Sequence, residues 1–364
     1  MNKYYCFNRT NNYKDRIEDI IQKKKSEVFD FFEVDKNQEL NFNIYVYNSV
    51  SDLVLGMKNR GFSEMPDYMC ACQKDEDNSI NFYEPSDEYL ENDWCKDEYD
   101  NVIFHESIHA IQFMLYGSKP EWLSEGIAKY LDGTYKGDIK SLLENCIHKR
   151  RIPNMSELIN FFGMYEYDSY DYAYLMVSYL IDNFGKQEFL KIINDDERLN
   201  EISDNLIIKT ICYYNNKYFG NEFYNANLNN PNWLFHGSPI KLDEIVVNLS
   251  HDSNGVDKNI DKAIFLTSSM NIASAYAFKD TIKRNSDGLS WNFSINNIDE
   301  IPIMRMKNVV VSDNIVGYIY VFSNDGSFKN EPEGLLQFKS FNNLKPVAYL
   351  EITYRDYKHL YEVV

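Results

Sequence analysis

The run NVIFHESIHAIQFMLYG, residues 101–117, constrains this chain more than any other segment. Val102, Ile103, Phe104, Ile108, Ala110, Ile111, Phe113 and Met114 make it an apolar helix that belongs in a core, and Gly117 ends it. His105, Glu106 and His109 interrupt that apolar surface with a polar stripe. Four helical steps return to nearly the same face, so both imidazoles can reach one ion. Zinc takes histidine nitrogen at about 2.0–2.1 Å and lowers the pKa of a coordinated water to about 7. Glu106 lies on the adjoining flank, where a carboxylate can accept that water's proton without ligating. The plain alternative is a helix with two surface histidines. The apolar context argues against it, as does the placing of two of only 6 histidines on this stripe.

A catalytic zinc takes three protein ligands and keeps one position open. After the short loop SKPE, the segment WLSEGIAKYLDG reads as a second helix and supplies a carboxylate. Two antiparallel helices joined by a short loop can face such positions toward each other.

Together, VIFHESIHAIQFMLYGSKPEWLSEGIAKYLDG resembles the active-site region of the gluzincin metallopeptidases, in particular the peptidase-MA-like group. The resemblance spans roughly residues 40–200, with its specific part at 101–133. In that family a Trp-Leu-x-Glu-Gly-x-Ala segment opens the next helix, and its Glu completes the zinc shell. The resemblance thus implies Glu125, 16 positions after His109, as third ligand beside His105 and His109, with Glu106 as general base. Read without the family, Glu125 is a helix-start carboxylate stabilised by the helix dipole. Many gluzincins carry an acidic residue four positions after the ligand Glu, to orient a metal-bound His. Lys129 stands there in this chain, which turns the expectation for that role to Glu121 or the acidic stretch PSDEYLENDWCKDEYD. The family's Tyr-x-x-x-x-x-x-Val-x-Tyr-Leu helix matches YDYAYLMVSYL, implying Tyr170 as oxyanion donor, with Tyr172 and Tyr174 as rivals and core packing as the alternative.

At 364 residues two domains are expected. Helical patterns dominate up to about residue 213, after a strand at FNIYVYNS, a short helix ending at Gly61, and strands at YMCACQ and SINFYEP. Residues 14–33 read as an amphipathic helix. The Asn- and Tyr-rich stretch 213–232 reads as the junction. Short apolar runs follow: WLFHGS, AIFLTSS, NVVVS, VGYIYVFS and VAYLEIT. The expected fold class is α+β: a zincin-like domain of small sheet plus helices over 1–215, a linker at 216–231, and a strand-rich mixed α/β domain over 232–364.

The order WLFHGSP, AIFLTSS, ASAYAF, QFKS in that last part resembles small His-Gly-Ser domains related in outline to the ADP-ribosyltransferase fold. The resemblance implies a nucleotide such as NAD at His236, Ser268 or Tyr276, and Gln337. Gln337 cannot serve as a carboxylate would, so a binding or recognition module is an equal expectation. The plain reading of His236 is a satisfied strand–turn histidine.

A net charge of -19 argues against nucleic-acid backbones and anionic membranes as main partners, which need clustered Lys and Arg, and reads as a solvated acidic surface in preference to a site for basic substrates. No apolar run approaches the roughly 20 residues of a membrane span. The opening MNKYYCFNRTNNYKDR lacks an apolar h-region, so a cytoplasmic protein with 6 scattered, reduced cysteines is expected. The functional expectation is a zinc metallopeptidase acting on protein or peptide. The rivals are an ADP-ribosyltransferase-type effector with an accessory zincin part, and a non-catalytic zinc-containing binding protein. An intact Glu106 counts against the last, because a purely structural site has no use for a free base. Oligomeric state leaves no mark in the sequence.

Overall fold

The computed structural model describes residues 3–6, 12–35, 37–39, 43–62, 71–74, 77–83, 93–135, 138–147, 152–160, 168–218, 232–248, 262–284, 291–294, 303–306, 311–330 and 337–363. The fold is mixed α+β, with a helix-rich region ahead of a strand-rich C-terminal part. Two compact units interleave along the chain: Met1–Gly137 with Leu180–Asp196, and Asp138–Tyr179 with Glu197–Val364. The expected linker 216–231 falls within the second unit's span, and residues 219–231 lie outside the described residues.

The first unit begins with β1 (Lys3–Cys6), α1 (Asn12–Phe32), β2 (Asn43–Tyr47), α2 (Val50–Asn59), β3 (Ala71–Lys74) and β4 (Ser79–Tyr83). It continues with α3 (Asp93–Tyr116) and α4 (Glu121–Asp132). The strands form one sheet in the order β1-β2-β4-β3, parallel except for the antiparallel edge pair β3–β4. Register sets Ile44 beside Ile80 and Val46 beside Phe82, so strand alternation puts these four buried apolar side chains on one face of the sheet. On the other face Tyr47 and Cys72 form a cluster with Leu53, Val54 and Met57 of α2. Meanwhile α3 packs against β3, β4 and α1, and Arg16 of α1 donates from Nε to Asp100 of α3 at 2.9 Å.

The α3 helix starts at Asp93, ahead of the expected start at Asn101. The last part of the acidic stretch forms its first turns. The rest of that stretch, 84–92, lies outside the described residues, as does 68–70 of the YMCACQ run.

In the second unit lie α5 (Ile139–Ile147), α6 (Met155–Asn160), the start of α7 (Ser169–Phe184), α9 (Asp196–Ser203) and α10 (Leu206–Tyr218). The end of α7 and α8 (Lys186–Asn194) belong to the first. Then come β5 (Trp233–Ser238), β6 (Ile264–Thr267), α11 (Met270–Arg284), β7 (Trp291–Ser294), β8 (Ile303–Met306), β9 (Val316–Ser323), β10 (Lys329–Asn330), β11 (Gln337–Ser340), β12 (Ala348–Thr353), α12 (Tyr354–Tyr357) and β13 (Tyr361–Val363). Six of these strands make an antiparallel sheet ordered β10-β11-β6-β5-β9-β12, and three make a smaller sheet, β13-β8-β7. Of the expected strand NVVVS, residues 308–310 lie outside the described residues, while Val311 and Ser312 are not in a strand.

The α11 helix lies directly on β5 and β9. A Cβ at Gly237 would stand 1.9 Å from the Ala273 carbonyl oxygen and 2.6 Å from the Ala277 nitrogen, so only glycine permits this approach. At the far edge, Asn216 of α10 donates to the Tyr349 carbonyl at 3.0 Å and accepts from the Glu351 N–H at 3.0 Å. Its amide thereby does what a neighbouring strand would do for β12.

Candidate metal centre

The α3 helix is anchored by Ile103, Phe104, Ile108, Ala110 and Ile111, all buried. That anchoring fixes the rotation of the helix and with it the direction of His105 and His109. Gly117, at φ 69°, ends the helix in the left-handed region that favours glycine. Pro120 then precedes α4, whose Trp122, Leu123, Ile127 and Ala128 are buried. The two helices pack together. The polar positions of α4 that meet the histidines are Ser124, Glu125 and Asp132.

His105 Nε2 lies 3.1 Å from Glu125 Oε2, and His109 Nε2 lies 3.1 Å from His105 Nε2. His109 Nε2 stands 3.5 Å from Glu125 Oε1. Tetrahedral zinc with bonds of about 2.0–2.1 Å separates its ligand atoms by about 3.3 Å, close to the His105–His109 spacing and to the spacing of His105 from Glu125 Oε2. Among the described residues, His105, His109 and Glu125 are the group whose donor atoms could converge on a metal, all within 4.8 Å of one another.

The outward nitrogens of both rings are also engaged. His105 Nδ1 donates to Asp132 Oδ2 at 2.9 Å, and His109 Nδ1 meets Ser124 Oγ at 3.1 Å. A carboxylate accepts only, so the Nδ1 of His105 carries a proton, and in the neutral ring Nε2 keeps its lone pair for a metal. Among the described residues the carboxylate on the outer nitrogen of His105 is thus that of Asp132, and not that of Glu121. Asp132 follows Glu125 by seven positions, two helical turns on the same face. That periodicity was open to reading in the sequence, as was the place of Ser124 next to Glu125.

Without a metal the cluster is held by charge. Burial disfavours a charged His105, but hydrogen bonds to Asp132 and Glu125 outweigh it and raise its pKa to about 9. Burial likewise opposes ionised Glu125, yet the two histidines hold its carboxyl well below the ordinary range. Asp132 is also lowered, against its burial, by His105 and by the backbone N–H of Thr134. Glu121 is raised by burial and by the neighbouring Glu125.

Glu106 lies half-buried one residue along α3, outside the donor group. Its charge adds to the burial that pushes the Cys72 thiol of β3 up to about 12. Tyr170, at the start of α7, is 39% exposed, whereas Tyr172 and Tyr174 are buried. The Tyr172 hydroxyl donates to the Cys146 carbonyl at 3.5 Å, a core contact within the second unit.

The residues singled out in the C-terminal part are spread over both faces of the six-stranded sheet. Thr267 pairs with Gln337 on one side and Phe235 on the other, which by alternation puts Gln337 and His236 on opposite faces. His236 Nδ1 donates to the Phe265 carbonyl at 2.8 Å, and burial lowers the ring's pKa. Ser268 is buried after β6, and its hydroxyl has no hydrogen-bond partner. Tyr276 is 38% exposed on α11, and Lys279 Nζ lies 5.1 Å from its ring centre. Gly237 of the His-Gly-Ser run serves the close approach of α11.

Residues 81–211 match a family model described as the Peptidase MA superfamily. A search of curated proteins finds no match. The family match supports a zincin-like, metallopeptidase-type function for that segment, and the His-His-Glu group within it is compatible with zinc. Residues 212–364 lie beyond the matched segment. Among the described residues no helix is long and apolar enough to cross a membrane.

Proposed function

We propose that this chain is a zinc-dependent metallopeptidase in which His105, His109 and Glu125 hold the ion and Glu106 is the general base. The observation that carries this reading is the convergence of one donor atom each from His105, His109 and Glu125, all within 4.8 Å of one another. Bound zinc would supply Lewis acidity to the substrate carbonyl and to an attacking water. Glu106 accepts the proton of the water that adds to the carbonyl carbon. It then passes that proton to the departing nitrogen as the C–N bond breaks. Tyr170 keeps its proposed part as oxyanion donor, which rests on the resemblance of its helix alone. The β3 strand pairs only with β4 among the described strands and is packed against α3. Its other edge offers an extended peptide main-chain hydrogen bonds next to the helix that bears Glu106. Both endopeptidase and aminopeptidase action fit this reading. The test is hydrolysis of a quenched fluorescent peptide library by the zinc-loaded chain, with loss on chelation and return on adding zinc. A chain saturated with zinc that cleaves nothing supports a binding protein instead.

For the strand-rich part we propose a recognition module, with a nucleotide such as NAD at His236 as the narrower form. One fact favours the narrower form: the His236 Nδ1–H is spent on Phe265, which leaves Nε2 as an acceptor for a ligand hydroxyl. Titration of the whole chain with NAD, compared with His236→Ala, decides it. Absence of His236-dependent binding removes the nucleotide reading.

A further inference from the structure

The position four residues after Glu125 holds Lys129, yet the His105 ring is not left without an acidic partner. Asp132 reaches it from the last residue of α4. Its side chain is buried and both of its oxygens are fixed. Oδ2 accepts from His105 Nδ1 at 2.9 Å, and Oδ1 accepts from the Thr134 backbone N–H at 2.7 Å. Gly133, at φ 78°, makes the turn that brings Thr134 back over the carboxylate. Lys129 Nζ stands 3.9 Å from the same Oδ2. A single carboxylate oxygen thus faces an imidazole N–H and an ammonium.

We infer that Asp132 is the positioning residue that aims His105 at the ion, and that Lys129 acts as its counter-charge and moderates the pull on the ring. This inference rests on the metal site proposed above. A carboxylate on the outer nitrogen of a ligating histidine fixes its tautomer and orientation and raises its basicity. A lysine beside that carboxylate takes up part of its charge, so His105 feels a weaker acceptor than an unshared aspartate. The site can then hold its metal with a less basic ligand than the hydrogen bond alone would give.

The experiment uses the full chain as wild type, Asp132→Asn, Asp132→Ala and Lys129→Met. Zinc affinity is measured by competition with a chelator, and the His105 Nδ1–H signal is followed by NMR in the zinc-loaded proteins. Asp132→Asn keeps the size and an acceptor oxygen, so it keeps the fold while removing the charge. It should weaken zinc about tenfold and move the Nδ1–H signal upfield, and Asp132→Ala should approach the hundredfold end of the usual range. Lys129→Met should move the signal downfield and bind zinc at least as tightly as wild type. Unchanged affinity in Asp132→Asn, or weakened affinity with an unmoved signal, overturns the positioning role. An unmoved signal or a loss of zinc in Lys129→Met overturns the counter-charge. A wild-type chain that takes up no zinc overturns the metal reading itself, an outcome distinct from a difference between variants.

Discussion

The Nε2 atoms of His105 and His109 face each other at 3.1 Å. Two lone pairs repel at that distance, so the metal-free pair must hold a proton between them. With a pKa of about 9, His105 is the ring that keeps it at neutral pH. Zinc must displace it. Uptake at pH 7 should release about one proton per ion, and affinity should rise about tenfold per pH unit until pH 9. Calorimetry in buffers of different ionisation enthalpy reads the proton directly, and proton-neutral uptake would contradict the assignment.

Glu125→Ala should remove zinc at free concentrations that saturate the wild type. The weakening should exceed the about 10–100-fold typical of losing a residue one step further from the ion. Metal analysis after dialysis against buffered zinc checks it. Full zinc content in the variant would transfer the third-ligand role elsewhere.

The metal-free protein should lose stability on the alkaline side. The folded pKa of His105 lies above its ordinary 6.5, so its contribution is complete below pH 6.5 and vanishes as pH rises through about 9. The shift corresponds to a loss on the order of 3 kcal/mol. Glu125 and Asp132 are displaced downward, so their contributions stand above the ordinary carboxylate range and fade as pH falls. Urea midpoints in chelator at pH 6.5 and pH 9.5 measure the alkaline step, and His105→Gln should lack it.

Gly237→Ala should unfold or loosen the strand-rich sheet, because its Cβ would meet the α11 backbone rather than a yielding side chain. A cost of about 3 kcal/mol is the expected scale. Thermal melts read it. A variant as stable as wild type would mean that α11 shifts freely on β5.

The helices α3 and α4, with the polar positions His105, His109 and Glu125, were legible because their signals are local: apolar periodicity, a stop at Gly117, and a carboxylate early in the next helix. Most strands were legible for the same reason, and β5, β9 and β12 fall where the short apolar runs predict them. What sequence could not give is pairing. The order β11-β6-β5, which separates Gln337 from His236 by face, depends on contacts between segments distant in sequence. Asp132 escaped because the resemblance points one turn after Glu125, whereas the carboxylate that reaches His105 stands two turns after it on the same face. The start of α3 at Asp93 was masked by an acidic composition that suits a helix N-terminus as well as a loop.

The central claim is that Glu106 does the proton transfer at a zinc site built by its neighbours. Glu106→Gln keeps the side chain's size and leaves His105, His109 and Glu125 in place, but its amide cannot accept a proton from water. Zinc content and peptide hydrolysis should therefore be measured on the same preparation of this variant. The account predicts one zinc per chain, as in wild type, with hydrolysis reduced by about 10²–10⁴-fold. Undiminished hydrolysis at full zinc occupancy would contradict it.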